Sequence, residues 1–252
     1  MKKYLVLIII LFLLIAGLVT GVYVWLSNRN NTTSDAIQAI PTDASLLFRI
    51  EDYSRFRASL NGSKVWESVS DIDAVGDVNA VLAFIDSLQN SNVLIKNALR
   101  NNPLYISLSA EGGGNTAFLF AVRTPDGVSP SELYSIAKLQ AIGLFKEEEK
   151  YFNGSLILSF KQGGSQFSNI SVVAENGLLL VSNSSLLLEK SISQLEGKVS
   201  LLTNPQFQAI SKTSGTKVDA NIYINIKNLP VLLKSSVKEK YRGGVNTLGD
   251  IA

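Results

Sequence analysis

Tyr4 to Leu26 is a run of 23 residues without a charge. At about 1.5 Å of rise per residue, a helix of that length crosses a hydrocarbon core of about 30 Å with some tilt. A cleaved leader would carry a shorter apolar core of about 7–15 residues and then small residues at a cleavage site. Here the run ends in Tyr23, Val24, Trp25 and Leu26, which predicts an uncleaved signal-anchor with an aromatic belt at its far end. Lys2 and Lys3 precede the run and Arg29 alone follows it closely, so the N-terminus is expected in the cytoplasm and the bulk of the chain outside. The expected place is therefore the cytoplasmic (inner) membrane, with residues 4–26 partnered by the lipid bilayer. Residues 1–29 form the cytoplasmic tip and anchor in this division. Residues 30–38, rich in Asn, Thr and Ser, read as a polar tether with no apolar period.

About 220 residues follow the anchor, enough for one large or two small domains with a real core. Lys2, Lys3 and Arg29 account for the net charge of +2, because residues 30–252 hold 20 basic residues against 21 acidic ones. A nearly neutral ectodomain without a basic stripe gives nucleic acid no electrostatic footprint. The chain has neither cysteine nor histidine. That removes disulfides, a thiolate nucleophile, the serine–histidine triad and the usual zinc ligands together. No catalytic, cofactor-binding or metal-ligating residue is expected, and no cofactor.

Along the ectodomain, Ala44 to Ile50 reads as a strand and Tyr53 to Leu60 as a short helix. Val78, Val81, Leu82, Ile85 and Leu88 recur at helical spacing with Asp77 as an N-cap, and Asn90-Ser91-Asn92 breaks the run before another helix over 93–100. Leu104–Ala110 and Thr116–Arg123 flank a glycine-rich turn as a hairpin. Ser129-Pro130-Ser131-Glu132 has the residues of a capping box, with Gly143 closing that helix. Strands follow near 155–161, 170–174 and 178–182, the last two joined by Asn176-Gly177 as a type I′ turn. A helix over 185–196 ends at Gly197, and Asn204-Pro205 starts the next. Ala220 to Ile226 is a strand leading to a helix near Pro230. Hairpins alternating with helices predict an α+β fold, a mostly antiparallel sheet with helices packed on it. Ala117–Val122 and Leu178–Val181 are continuously apolar, which predicts strands buried on both faces.

Strand, polar cap and short helix recur at 44–56 and 220–232, preceded by Asp43 and Asp219 and by Ala39-Ile40 and Ala209-Ile210. This suggests a repeat, with one α+β domain over 39–204 and an incomplete second unit over 205–252. On that reading a final helix near Pro230–Tyr241 packs poorly and residues 243–252 make few contacts.

Ile-Pro-Thr-Asp-Ala-Ser-Leu-Leu-Phe-Arg-Ile at 40–50, the Asn204-Pro205-Gln206-Phe207 helix start and the Ala220-Asn221-Ile222-Tyr223-Ile224-Asn225 strand, behind a short anchor, resemble a bacterial domain-of-unknown-function family. Its members are single-pass, membrane-anchored envelope proteins, commonly longer than this chain. The resemblance covers most of residues 39–252 and implies no catalytic residues.

Residues 71–77 begin like a calcium loop, but Val75 and Leu82 stand where oxygen ligands are required, leaving a turn before a helix. Ser-x-x-Lys occurs at Ser135/Lys138, Ser214/Lys217 and Ser235/Lys238 without the companion motifs of a serine–lysine enzyme. Glu147-Glu148-Glu149 between Lys146 and Lys150 reads as a solvated charge run. The leading expectation is a non-enzymatic interaction or scaffold module of the cell envelope, its partner an unidentified envelope protein or lipid. A carrier or sensor of an apolar ligand or lipid stands second, suggested by the doubly apolar strands, and a serine/lysine hydrolase last.

Overall fold

Eight strands form one antiparallel sheet in the computed structural model, which describes residues 35–69, 73–112, 115–141, 146–161, 169–197, 199–215 and 217–233. They are β1 (Leu46–Ile50), β2 (Leu104–Glu111), β3 (Asn115–Arg123), β4 (Lys146–Phe152), β5 (Ser155–Lys161), β6 (Asn169–Glu175), β7 (Leu178–Ser182) and β8 (Ala220–Ile224). Their order across the sheet is β4-β5-β6-β7-β3-β2-β1-β8. Tight turns explain the local pairs. Asn176 and Gly177 have φ of 51° and 72°, the left-handed pair that a two-residue hairpin requires, and Asn153 and Gly154 repeat it at 49° and 84° between β4 and β5. With helices on the sheet, this is the expected α+β class.

The inner strands are covered on both sides, because alternate side chains point to opposite faces. On the first face Ile106, Phe118, Phe120, Val122, Val172 and Val181 pack with Tyr53, Leu82, Ile85, Leu99 and Leu133. Those partners come from α1 (Tyr53–Asn61), α3 (Asp73–Ser91), α4 (Val93–Asn101) and α5 (Pro130–Ala141); α2 (Lys64–Val69) adds Trp66. On the second face Tyr105, Leu119, Ala121, Val173, Leu178 and Leu180 pack with Leu187, Leu188 and Ile192 of α6 (Ser185–Glu196) and with a 3-10 turn at Ala36–Ala39. The continuously apolar segments are thus the strands buried twice. Asp52, Asn92, Ser184 and Asn204 each accept backbone N–H groups at a helix start, supplying partners the first turn otherwise lacks.

Three expectations need correcting. Asp77 is not an N-cap: α3 begins at Asp73, and the cost of Gly76 within a helix, about 1 kcal/mol, is small beside the burial of Leu82 and Ile85. Residues 36–38 of the expected tether belong to the domain, since Asp35 caps the 3-10 turn and Ala36 and Ile37 are buried. Glu147–Glu149 are solvated, as expected, and sit in β4. The helix α8 (Leu229–Leu233) begins well packed, with Pro230 and Leu232 buried. The expected anchor, residues 30–34 of the tether, Gly143, Ser235/Lys238 and residues 234–252 lie outside the described residues. Among the described residues no helix is long and apolar enough to cross a membrane.

Candidate functional site at the sheet edge

Two of the three serine–lysine pairs lie among the described residues. Ser135 Oγ donates to the Ser131 carbonyl at 2.8 Å, and Ser214 Oγ donates to the Ser211 carbonyl at 2.6 Å, so both protons go to the backbone. Lys138 is held by Glu147 at 2.5 Å and Glu149 at 2.9 Å. The hydrogen bonds it donates to Glu147 and then Glu149 push its ammonium above the usual lysine range, opposite to what a general base needs. Lys161 donates to Glu148 at 2.5 Å and holds that carboxyl below the usual range, so the acidic run is fully engaged as surface ion pairs. Among the described residues no group of three or more acidic side chains is arranged to hold a metal ion.

The two edges of the sheet are built differently. An edge strand presents unpaired backbone donors and acceptors, and charge is the common way to keep other strands off. β4 has that protection, with Lys146, Glu147, Glu148, Glu149 and Lys150 in succession. β8 has none: its residues are Ala220, Asn221, Ile222, Tyr223 and Ile224, with Ile222 58% and Ile224 53% exposed. Ile226, just beyond, is also exposed.

One face of this edge opens into an apolar pocket and the other into a groove of mixed lining. Ile222 lies opposite Phe48 of β1 and shares its face. There a pocket of about 210 Å³ is lined by Phe48, Ile50, Phe56, Leu60, Trp66, Leu82, Ile106, Leu108 and Ile222, all apolar. Trp66 spends its indole N–H on Asn79 Oδ1 at 3.1 Å. Behind the pocket, Tyr53 donates to Asp86 at 2.8 Å, and Arg57 pairs with the same carboxylate at 2.9 Å, tying α1 to α3. Burial first, then the hydrogen bond to Asp86, pushes the Tyr53 hydroxyl above its ordinary range.

On the other face Tyr223 lies opposite Leu47 and meets Phe207 of α7 (Pro205–Thr213) with ring centroids 5.0 Å apart. A groove of about 480 Å³ runs between α7 and β8, where Leu47, Phe207 and Tyr223 line it together with the polar Gln206, Asn225 and Lys227. Asn204 orients α7 by accepting the Gln206 and Phe207 N–H groups at 2.9 and 3.1 Å.

β1 and β8 are also the two strands whose sequences match. A shift of 176 residues carries Ala44 onto Ala220 and the helix start Tyr53 onto Leu229. One first-turn bond recurs in both: Phe56 N to Asp52 O at 2.9 Å, and Leu232 N to Asn228 O at 3.3 Å. Leu47 and Tyr223 correspond under that shift and face each other in the ladder, so the two strands are related by a local twofold axis. The likeness stops upstream. Ala39 and Ile40 are buried at the end of a 3-10 turn, whereas Ala209 and Ile210 are exposed on α7. β8 itself is hydrogen-bonded into the same sheet as β1.

Sequence reading had no site to offer here, although Ile222, Tyr223 and Ile224 were part of the strand it drew. Their significance comes from β8 standing last in the sheet, which no local signal reports. Comparison with protein-family models, with curated proteins and with solved structures finds no match to this chain.

Proposed function

We propose that this chain is a membrane-anchored extracytoplasmic interaction module, without catalysis of its own, that engages its partner along β8. The observation that carries the reading is the unprotected apolar edge, with Ile222 and Ile224 exposed beside a pocket and a groove. Apolar patches of this kind at a polar surface mark interaction sites, and an open edge strand is a template for strand addition. The uncharged run at Tyr4–Leu26 supports a single-pass anchor in the cytoplasmic membrane with the N-terminus inside. The resemblance of segments 40–50, 204–207 and 220–225 to anchored envelope proteins points the same way. Ile224→Lys should reproduce the phenotype of deleting the whole chain, while Ser214→Ala and Lys217→Ala should leave function intact. An unaffected Ile224→Lys strain, or loss of function in both alanine variants with normal folding, sinks the reading.

A carrier or sensor of an apolar ligand is the second reading, favoured by the wholly apolar lining of the pocket beside Ile222. Its volume of about 210 Å³ exceeds the roughly 150 Å³ of an apolar cavity that admits benzene. Quenching or shift of Trp66 emission by a hydrocarbon probe tests it, and no response at saturation removes it.

A further inference from the structure

We propose that β8 pairs with β8 of a second copy of this chain, antiparallel and about a twofold axis at Tyr223. This rests on β8 being the interaction edge and names the partner. Glu51 N bonds Asp219 O at 3.3 Å and Asn225 N bonds Ser45 O at 2.9 Å, so the odd-numbered residues of β8 face β1. By the alternation of an antiparallel ladder, Ala220, Ile222 and Ile224 turn their N–H and C=O groups outward. The inner side shows how such a strand pairs. β1, its sequence equivalent, lies against β8 with the corresponding residues Leu47 and Tyr223 opposite each other. The same residue correspondence carried to two copies of β8 puts Tyr223 opposite Tyr223, here as a non-hydrogen-bonded pair, because the outer side presents the even-numbered residues.

That register is also the one the side chains favour. It sets Ile222 of each copy against Ile224 of the other, so the exposed isoleucines of the two edges cover one another. Asp219 and Lys227 lie outside β8 and take no part, Asp219 being held by Arg55 at 2.7 Å. Two chains anchored in one membrane share an orientation and a raised effective concentration, both of which favour a twofold contact.

The chain has no cysteine, so a single introduced thiol reports the register cleanly. Residues facing each other in a non-hydrogen-bonded pair have Cα atoms about 4.5 Å apart, within disulfide reach. Full-length Tyr223→Cys in its membrane should give a disulfide-linked homodimer on mild oxidation. Asn221→Cys, which would face residue 225, should not. Adding Ile222→Lys to Tyr223→Cys should abolish the cross-link, and in the otherwise native chain it should weaken self-association by at least about a hundredfold. Light scattering of the native full chain in detergent should show a dimer that dissociates on dilution, independent of how the variants fold. A native chain that is monomeric at every concentration overturns self-pairing, as does equal cross-linking at 221 and 223. A disulfide from residue 223 to a different protein overturns it too, while leaving β8 as the interaction edge.

Discussion

Raising the pH should destabilise this domain through its buried tyrosines. Tyr53 and Tyr105 are 1% and 3% exposed, and burial holds both hydroxyls above their ordinary range, helped by Asp86 beside Tyr53 and Asp35 near Tyr105. Tyr134, only half-buried, is pushed up to about 12 by burial, partly offset by the hydrogen bond it accepts from Ala174 N. In the unfolded chain all three ionise near pH 10. A group whose pKa is raised by folding stabilises the fold fully below its unfolded pKa and loses that contribution as pH climbs toward the folded value. The window therefore opens at pH 10. At pH 11 the unfolded state gains a factor of about ten from each of Tyr53 and Tyr105, together roughly 3 kcal/mol. Tyr134, raised to about 12, would add nearly as much by the same arithmetic, and its partial exposure to solvent reduces that share. Against a typical stability of about 5–15 kcal/mol this is a large loss. Urea unfolding of the full chain in detergent, followed by Trp66 fluorescence between pH 7 and 11, measures it. Tyr105→Phe should flatten the alkaline fall by about half of the Tyr53–Tyr105 part. A midpoint that stays level to pH 11 would refute the reasoning.

Leu119 has no exposed surface at the centre of the second-face core, so Leu119→Ala should cost about 2–5 kcal/mol by urea unfolding. Gly154 holds φ at +84° in the β4–β5 turn, so Gly154→Ala should cost about 1 kcal/mol or more in the same assay, with faster amide exchange confined to β4. Protease added outside a cell whose outer barrier is opened should digest residues beyond about 30; complete protection of the C-terminus would reverse the topology.

The hairpins were legible because their causes are local. Asn176-Gly177 announces its turn in two residues, and the unbroken apolar runs at 117–122 and 178–181 announce double burial. β4 was missed although Asn153-Gly154 carries the same turn signal, because the charges of 146–150 masked a strand that needs no apolar face at a solvated edge. Asp77 misled because capping residues also occur inside helices once packing outweighs propensity. Ala36 and Ile37 read as tether because two apolar residues make no period, yet both are buried in the second-face core with α6. The edge could not be read at all. Ile222 and Ile224 alternate with Tyr223 as in any half-buried strand, and their exposure follows from β8 stacking on β1, nearly 180 residues away in sequence.

The claim that β8 is the working surface is tested most directly by a photo-crosslinking residue in the living membrane. Placed at Ile224 of the full-length chain, it should trap a polypeptide adduct on illumination; placed at Glu148 on the charged edge of the same sheet, it should trap none. An empty lane at 224, or equal adducts at 224 and 148, would contradict the account.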